Sequence, residues 1–130
     1  MHDPQHVTPE LVAAVNAVFA NHDAEGIANA FAEDGVFINA KGASLSGDTY
    51  RGRDAIRAFF TQLFIATPEV QWIKSDPAWM MGDKVVTQWH RKAVSAAGVA
   101  SEWLGTDLYV YRNHKIVRKD TYVKIVLPGN

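Results

Sequence analysis

One acidic residue in an aromatic segment is the strongest candidate for chemistry. Trp103, Asp107 and Tyr109 share one face of an extended chain, because side chains alternate along a strand. If that face lines a cavity, burial raises the pKa of the Asp107 carboxyl and favours the neutral acid. A neutral carboxylic acid donates a hydrogen bond to an oxygen that gains negative charge. The alternative is that Asp107 caps a turn or pairs with an arginine.

A second ionisable residue, His90, lies in the middle of another strand-like segment. His90 shares one face with Gln88, whereas Trp89 shares the opposite face with Thr87. If His90 faces a cavity, it is the candidate base that titrates near neutral pH, with Asp107 as its catalytic partner. If it faces solvent beside basic neighbours, Trp89 is a core residue instead. The alternation leaves both interpretations open.

Four further polar residues are weaker candidates. Asn39, at the end of a short strand, either orients a substrate carbonyl or water, or satisfies the backbone of the next loop. Tyr50 either closes the mouth of a pocket or packs in the core. Asp120 and Tyr122 share a charged face of the last strand. Such a face is usually solvated, so these two are secondary acid–base candidates.

The tryptophans indicate the kind of ligand. All four lie in or near predicted strands, at positions 72, 79, 89 and 103. Large aromatic residues at this spacing are usually core. Four in so short a chain nevertheless predict a broad aromatic wall, which suits a flat or apolar molecule. The candidate substrate-binding residues are therefore Asn39, Trp103, Tyr109, Trp89 and Tyr50.

Three helices precede most of the strands. Thr8 and Pro9 begin the first helix, whose apolar residues repeat through Phe19. Asp23 caps a short second helix that carries Phe31 on its apolar face. The third helix covers residues 54–64, with apolar residues at helical spacing. Strands are predicted over residues 36–38, 70–73, 78–81, 84–94, 100–111 and 115–126, with a loop over residues 40–49.

Helices followed by grouped strands predict an α+β fold with a mostly antiparallel sheet. Three modest helices leave part of a long, curved sheet uncovered, so we expect a conical cavity between the two layers. The length of 130 residues suits a single domain over residues 1–130, with residues 1–7 as a frayed terminus.

Composition excludes several classes of function. The formal net charge of −1 offers no basic surface for nucleic acid or for an anionic membrane. The absence of cysteine excludes disulfides, thiol nucleophiles and zinc–thiolate sites. The histidines lack metal-site spacing and phosphate-binding glycine loops are absent, so we predict neither metal nor cofactor. No signal peptide or membrane-length apolar run is found, and a cytoplasmic protein is expected.

Two segments resemble a known superfamily. Residues 31–37 (FAEDGVF) and 50–60 (YRGRDAIRAFF) are similar to the nuclear-transport-factor-two-like superfamily, in the branch of SnoaL-like polyketide cyclases and ketosteroid isomerases. The turn at 81–86 and the segment 114–120 fit the same family. The resemblance implies a cone-shaped half-barrel of curved sheet wrapped on three N-terminal helices. It also implies a homodimer paired through the outer face of the sheet.

The resemblance assigns roles residue by residue. A ketosteroid isomerase needs a carboxylate base, a tyrosine donor and an acidic donor, and the matching positions here hold Asn39, Val15 and Asp107. Only the acid is present, which argues against the standard steroid isomerase mechanism. Agreement with the family also favours the cavity interpretation of Asp107. The resemblance to SnoaL-like cyclases implies a second arrangement, in which a histidine and an aspartate on neighbouring strands act as a pair. His90 and Asp107 would be that pair here.

Two functions follow as hypotheses. The first is a cofactor-free acid–base enzyme (an isomerase, cyclase or dehydratase/hydratase) acting on a small apolar carbonyl compound, with Asp107 and His90 as catalytic residues. The second is a non-catalytic domain that binds a hydrophobic ligand or mediates dimerisation. A solvent-facing His90 with no other base nearby would remove the basis of the first hypothesis as stated.

Overall fold

The computed structural model describes residues 6–127. Its helices are α1 (Pro9–Ala20), α2 (Ala24–Ala30) and α3 (Arg53–Ala66). Its strands are β1 (Phe31–Ile38), β2 (Thr49–Arg51), β3 (Gln71–Lys74), β4 (Trp79–Met81), β5 (Lys84–Val94), β6 (Ala100–Arg112) and β7 (Lys115–Val123). The predicted frayed terminus falls partly outside the described residues, while the Val7 amide donates to the Gly82 carbonyl at 2.9 Å.

The helices begin where the sequence predicts. The Thr8 hydroxyl accepts from the Leu11 amide at 3.2 Å, and an Asp23 carboxylate oxygen accepts from the Gly26 amide at 2.9 Å. Both side chains satisfy amides that a first helical turn leaves without partners. None of the helices in residues 6–127 has the length and apolar character needed to cross a membrane.

The sheet is curved, open and mixed, with strand order β2-β1-β7-β6-β5-β3, and β4 also pairs with β5. Only β1 and β7 are parallel among the described strands. The predicted α+β cone of a mostly antiparallel sheet on three helices is confirmed. Element ends differ from the prediction, since a short strand, Thr49–Arg51, follows the predicted loop and the last strand ends at Val123.

The junction of α2 and β1 is a further correction. We expected Phe31 on the second helix, but the helix ends at Ala30 and Phe31 already belongs to β1. Phe31 pairs with Ile116 of β7, and both are fully buried. This long-range pairing outweighs the helical spacing of Ile27 and Phe31.

The inner face of the sheet carries the core. Phe19 of α1 and Phe60 of α3 pack against each other and against aromatic residues of the strands, among them Phe37 and Trp72. Strands β1, β5 and β7 run in one direction, and β6 runs in the opposite direction. The C-terminal ends of β1, β5 and β7 therefore lie at the same edge of the sheet as the N-terminal end of β6. We call this edge the open end of the sheet. It holds Asn39, Arg91 and Trp103.

Candidate functional site

A cavity of about 410 Å³ lies between the inner face of the sheet and the helices. Its walls are mainly aromatic and apolar, with several charged side chains among them. The lining includes Phe37, Asn39, Lys41, Trp72, Lys74, Trp89, Arg91, Trp103, Asp107, Tyr109, Lys119, Thr121 and Lys124. A cavity of this size and composition is typical of small-molecule sites.

Asp107 is buried on the inner face of β6 and accepts hydrogen bonds on both carboxylate oxygens. Oδ1 accepts from the Thr121 hydroxyl at 2.6 Å and from Lys119 Nζ at 3.0 Å. Oδ2 accepts from Trp89 Nε1 at 2.9 Å and from the Thr87 hydroxyl at 3.5 Å. The strand register places Thr87 and Thr121 directly beside Asp107 on the two neighbouring strands. Four donors therefore occupy the lone pairs that the carboxylate offers.

The ionisation state of Asp107 is the opposite of the one expected from its burial. Burial alone would raise the pKa, but the Lys119 charge and the hydrogen bonds from Thr121, Lys119 and Trp89 together lower the pKa of Asp107. The prediction that Asp107 is a neutral acid donating to an oxyanion is therefore wrong. Asp107 is a carboxylate, which has no hydrogen to donate to an oxyanion.

Lys119 is the group that meets Asp107 from the neighbouring strand β7. Its Nζ atom donates to Asp107 Oδ1 and to the Thr121 hydroxyl, both at 3.0 Å. The ammonium carries a third hydrogen, for which no acceptor lies among residues 6–127. The aromatic lining surrounds this side of Nζ, with the centre of the Phe37 ring at 4.6 Å. Lys119 is thus a buried cation with one donor left for a molecule in the cavity.

Trp89 depends on the absence of a side chain across the strand. Trp89 pairs with Gly105, and a Cβ atom built at Gly105 would collide with the six-membered ring of the indole. The glycine therefore lets the indole lie flat across β6. From there its Nε1 reaches Asp107, two residues further along the strand.

Arg91 and Lys74 also line the cavity. The guanidinium of Arg91 lies 4.0 Å from the ring centre of Trp103 and donates to the Ser101 hydroxyl at 2.9 Å. Burial lowers the pKa of Arg91. Lys74 extends from β3 to the cavity lining, while the residue as a whole remains exposed at the mouth. Partial burial lowers its pKa and the Lys119 charge adds to this, which the Asp107 charge only partly offsets.

His90 is not in the cavity, so its predicted placement beside Asp107 is wrong. The inward set on β5 contains Thr87 and Trp89, which are buried. His90 lies on the outer face, where its Nε2 is 2.6 Å from Glu102 Oε1. The hydrophobic drive to bury the indole decides the face, because exposing a tryptophan costs more than exposing a histidine.

Asp120 and Tyr122 also lie on the outer face, as their alternation with Lys119 and Thr121 requires. Asp120 pairs with Arg118 at 3.1 Å, and the Tyr122 hydroxyl donates to Asp120 at 3.3 Å. Neither residue lines the cavity. Their proposed secondary role in cavity chemistry is therefore contradicted, and the outer polar cluster accounts for both.

The remaining substrate-binding candidates divide between cavity and core. Asn39 lines the cavity, and its Oδ1 accepts from the Ala40 amide at 2.8 Å, as the loop interpretation predicts, while a role toward a substrate stays a prediction. Trp103 and Tyr109 line the cavity, and burial followed by the Asp107 charge raises the pKa of Tyr109. The predicted substrate-binding role of Tyr50 is wrong, because Tyr50 stacks on Phe37 in the core and does not line the cavity.

Trp79 is a further exception to the predicted aromatic wall. Its side chain is 60% exposed, whereas the other three tryptophans line the cavity. The cationic residues of the lining were not predicted. Lys119 had a signal in the sequence, because it alternates onto a face of β7 that holds Val117, Thr121 and Val123 after Lys115 at the start of the strand. Arg91 shares its face with Trp89, which gives a similar signal.

The lining suits an organic ligand better than a metal. Among the described residues that line the cavity, Asp107 is the sole carboxylate, and the lining includes no histidine. Since its lone pairs are taken by four donors, Asp107 has none free for a cation. The lining instead offers aromatic rings and cationic donors.

The comparisons with known proteins identify the family. Residues 12–119 match the family model of the SnoaL-like domain, so the chain belongs to the SnoaL-like family. Among curated proteins, no sequence matches the chain significantly. The assignment agrees with the expected branch of the nuclear-transport-factor-two-like superfamily.

Solved structures show the same fold at low sequence identity. A protein of the same superfamily from Burkholderia pseudomallei, of unknown function, is 18% identical, with coverage of 95% of this chain and 92% of that chain and a TM-score of 0.78. TerC, co-crystallised with polyporic acid, is 21% identical over 94% and 92%, with a TM-score of 0.75. A putative SnoaL-like polyketide cyclase from Shewanella denitrificans is 13% identical over 88% of each chain, with a TM-score of 0.75.

Proposed function

We propose that this protein is a cofactor-free acid–base enzyme that acts on a small, flat, largely apolar carbonyl compound through an enolate. The observation that carries the proposal is that the Lys119 ammonium lines an aromatic cavity while only two of its three hydrogens are engaged, by Asp107 and Thr121. A fixed donor in a water-poor site stabilises a developing oxyanion far more than one in water. Asp107 and Thr121 hold Lys119 in place and are positioning residues.

Lys74 is the group that moves the proton. Asp107 is saturated by four donors, arginine does not deprotonate at physiological pH, and the Tyr109 phenol stays protonated. Lys74 lines the cavity, and no hydrogen bond from its ammonium to a described residue holds it. A lysine whose pKa is lowered by burial can serve as a base.

The step balances without a cofactor. A hydrogen leaves the carbon beside the carbonyl as a proton and binds the neutral Lys74 amine. The C–H electron pair becomes a carbon–carbon double bond, and the carbonyl oxygen takes a negative charge opposite Lys119. In a β,γ-unsaturated ketone, return of the proton from Lys74 to the γ carbon gives an isomerisation. In a molecule with a second carbonyl, attack of the enolate carbon on that carbonyl gives a cyclisation, and the proton from Lys74 passes to the alkoxide that forms. The polyketide cyclase and the polyporic acid complex among the structural relatives support a small-molecule role.

Enolisation can be measured directly with 2-tetralone, a flat apolar ketone. Exchange of its C1 hydrogens in deuterated water, followed by proton NMR, should be faster with the protein than with buffer alone. Lys119→Met should reduce the protein-dependent rate by about 10²–10³, and Lys74→Met should also reduce it. His90→Gln is the matched control on the outer face and should leave the rate unchanged.

A folding control keeps the experiment decisive. Lys119→Met leaves Asp107 buried without its cation, so the double variant Asp107→Asn, Lys119→Met removes both charges together. This variant should be folded by circular dichroism and slow in exchange. Exchange no faster than in buffer, or an unchanged rate in the folded double variant, would contradict the proposal.

The second candidate function is a non-catalytic domain that binds a hydrophobic ligand. It is favoured by the outward position of His90 and by Asn39 and Val15 at the two family positions expected to hold a base and a tyrosine. It predicts that Asp107→Asn binds ligand with unchanged affinity and that neither form shows turnover. Turnover in the wild type that Asp107→Asn abolishes would exclude it.

We also propose that two copies pair through the outer face of the sheet. Leu104, Leu108 and Tyr122 form an apolar surface there, with relative exposures of 49%, 41% and 55%. Exposed apolar residues grouped on one face are typical of protein interfaces. Sedimentation velocity should show a dimer that Leu108→Glu dissociates, and a monomeric wild type at high concentration would contradict the proposal.

A further inference from the structure

We propose that the ligand of the cavity carries a carboxylate, and that Arg91 binds this group at the open end of the sheet. The inference rests on the proposed function only in placing the ligand in the same cavity. It adds the substrate class, a flat apolar carboxylic acid, and it assigns a specificity role to Arg91.

Arg91 is a buried cation without an anionic partner. The residue is 7% exposed, and no carboxylate of residues 6–127 lies within ion-pair distance of it. Its side chain makes one hydrogen bond, to Ser101, and rests against the Trp103 ring. A buried charge is normally paired, because an unpaired one costs several kcal/mol. The missing anion is a reason to expect one from a ligand.

The remaining donors of Arg91 point to where that anion binds. A guanidinium carries several N–H groups, of which Ser101 engages one. No fully buried side-chain nitrogen among the described residues lacks a partner, and Arg91 lines the cavity. Its other N–H groups therefore open onto the cavity. A planar guanidinium held by a ring presents the geometry that binds a carboxylate through two parallel hydrogen bonds.

The charge balance of the lining favours an anion as well. Besides Lys74, the lining holds the cations Lys41, Arg91, Lys119 and Lys124 against the single carboxylate Asp107. Lys119 is neutralised by Asp107, while Lys41 and Lys124 make no ion pair with a described carboxylate. A protein with a formal net charge of −1 thus has a cavity with excess positive charge. Such a field attracts anions into the cavity and repels cations.

The spacing between the two polar ends defines the shape of the ligand. Arg91 lies about 13 Å along β5 from Thr87, since a strand rises about 3.3 Å per residue. Thr87 marks the level of Asp107 in the register, and Trp89 lies between the two levels. A flat molecule lying along the Trp89 indole would therefore place its carboxylate at Arg91 and its carbonyl oxygen toward Lys119.

The test compares two probes of closely matched shape, one anionic and one neutral. Naphthalene-2-carboxylate and naphthalene-2-carboxamide share ring and shape, and their binding can be followed by isothermal titration calorimetry. The wild type should bind the carboxylate at least about tenfold more tightly. Arg91→Met should abolish this preference while still binding the amide. Lys92→Met removes the same charge from the adjacent residue on the outer face, and it should keep the preference.

The outcomes separate this inference from the proposed function. Arg91→Lys, which keeps the charge but loses the planar fork, should retain only part of the preference. Failure of the carboxylate to bind, equal affinity for both probes, or equal losses in Arg91→Met and Lys92→Met would overturn the inference. Ketone exchange can succeed or fail independently, because 2-tetralone carries no carboxylate.

Discussion

The sheet carries an acid–base pair on each face, and the two pairs differ in their surroundings. On the inner face Asp107 meets Lys119, with side chains 5% and 7% exposed. On the outer face His90 meets Glu102, with side chains 34% and 57% exposed. Water and salt screen the outer pair, whereas the inner pair has only its protein donors to replace water. Similar contacts therefore carry very different energetic weight on the two faces.

The largest expected difference is in stability. Asp107→Ala leaves Lys119 buried without a counter-charge and should lower the free energy of unfolding by about 3–5 kcal/mol. Glu102→Ala, the matched change on the outer face, should cost less than about 1 kcal/mol. Urea denaturation of both variants measures the two losses in the free energy of unfolding. Equal losses would contradict the claim that the buried pair contributes more to stability than the exposed pair.

The stability that the inner pair contributes also depends on pH. The folded-state pKa of Asp107 lies below its ordinary value of 3.8, so its stabilisation is fully present above that pH. The stabilisation is lost as the pH falls through the folded-state pKa. As the pH falls from about 5 to about 2, with most of the loss below 3.8, the wild type should therefore lose stability more steeply than Asp107→Asn. Parallel profiles in urea denaturation would contradict the lowered pKa.

The two faces of the sheet also differ in how closely their side chains are packed. Gly105→Ala places a methyl group against the Trp89 ring, which must move away from Asp107. We expect a loss of about 1–3 kcal/mol and a change in tryptophan fluorescence. Val94→Ala on the outer face, where the residue is 38% exposed and lies outside the proposed dimer surface, should change stability by about 0.5 kcal/mol or less. A neutral Gly105→Ala would mean that the indole does not lie across β6.

The smallest effect is expected for His90 itself. His90→Gln keeps a polar side chain on the outer face and should change the free energy of unfolding by less than about 1 kcal/mol. The rate of 2-tetralone exchange should stay the same, because His90 does not reach the cavity. Loss of exchange in this variant, with the fold intact by circular dichroism, would return His90 to the mechanism.

The sequence predicts the frame of the molecule because local periodicity encodes it. Alternation along β6 correctly groups Asp107 with Trp103 and Tyr109, and capping residues mark the helix starts. Alternation does not say which face of β5 is inward, so His90 and Trp89 stay equivalent until the strand is packed. The end of α2 at Ala30 likewise depends on the pairing of Phe31 with β7, which is remote in sequence.

The chemistry of Asp107 was harder to predict, because its partners come from other strands. Burial was visible in the aromatic pattern, and burial alone would raise the pKa. The register of β6 against β7 brings Lys119 and Thr121 to the carboxylate, and that register is a long-range property. The sign of the pKa shift is therefore set by neighbours that a reading of one strand does not include.

The charge of Asp107 matters most to the proposed chemistry, since a carboxylate there makes Lys119 the donor in the cavity. Carbon-13 NMR of the Asp107 carboxyl, titrated from neutral to acid pH, measures that charge directly. We expect an ionised carboxylate at neutral pH, with a titration midpoint below 3.8. A carboxyl that is protonated at neutral pH, or that titrates above its ordinary value, would contradict the account.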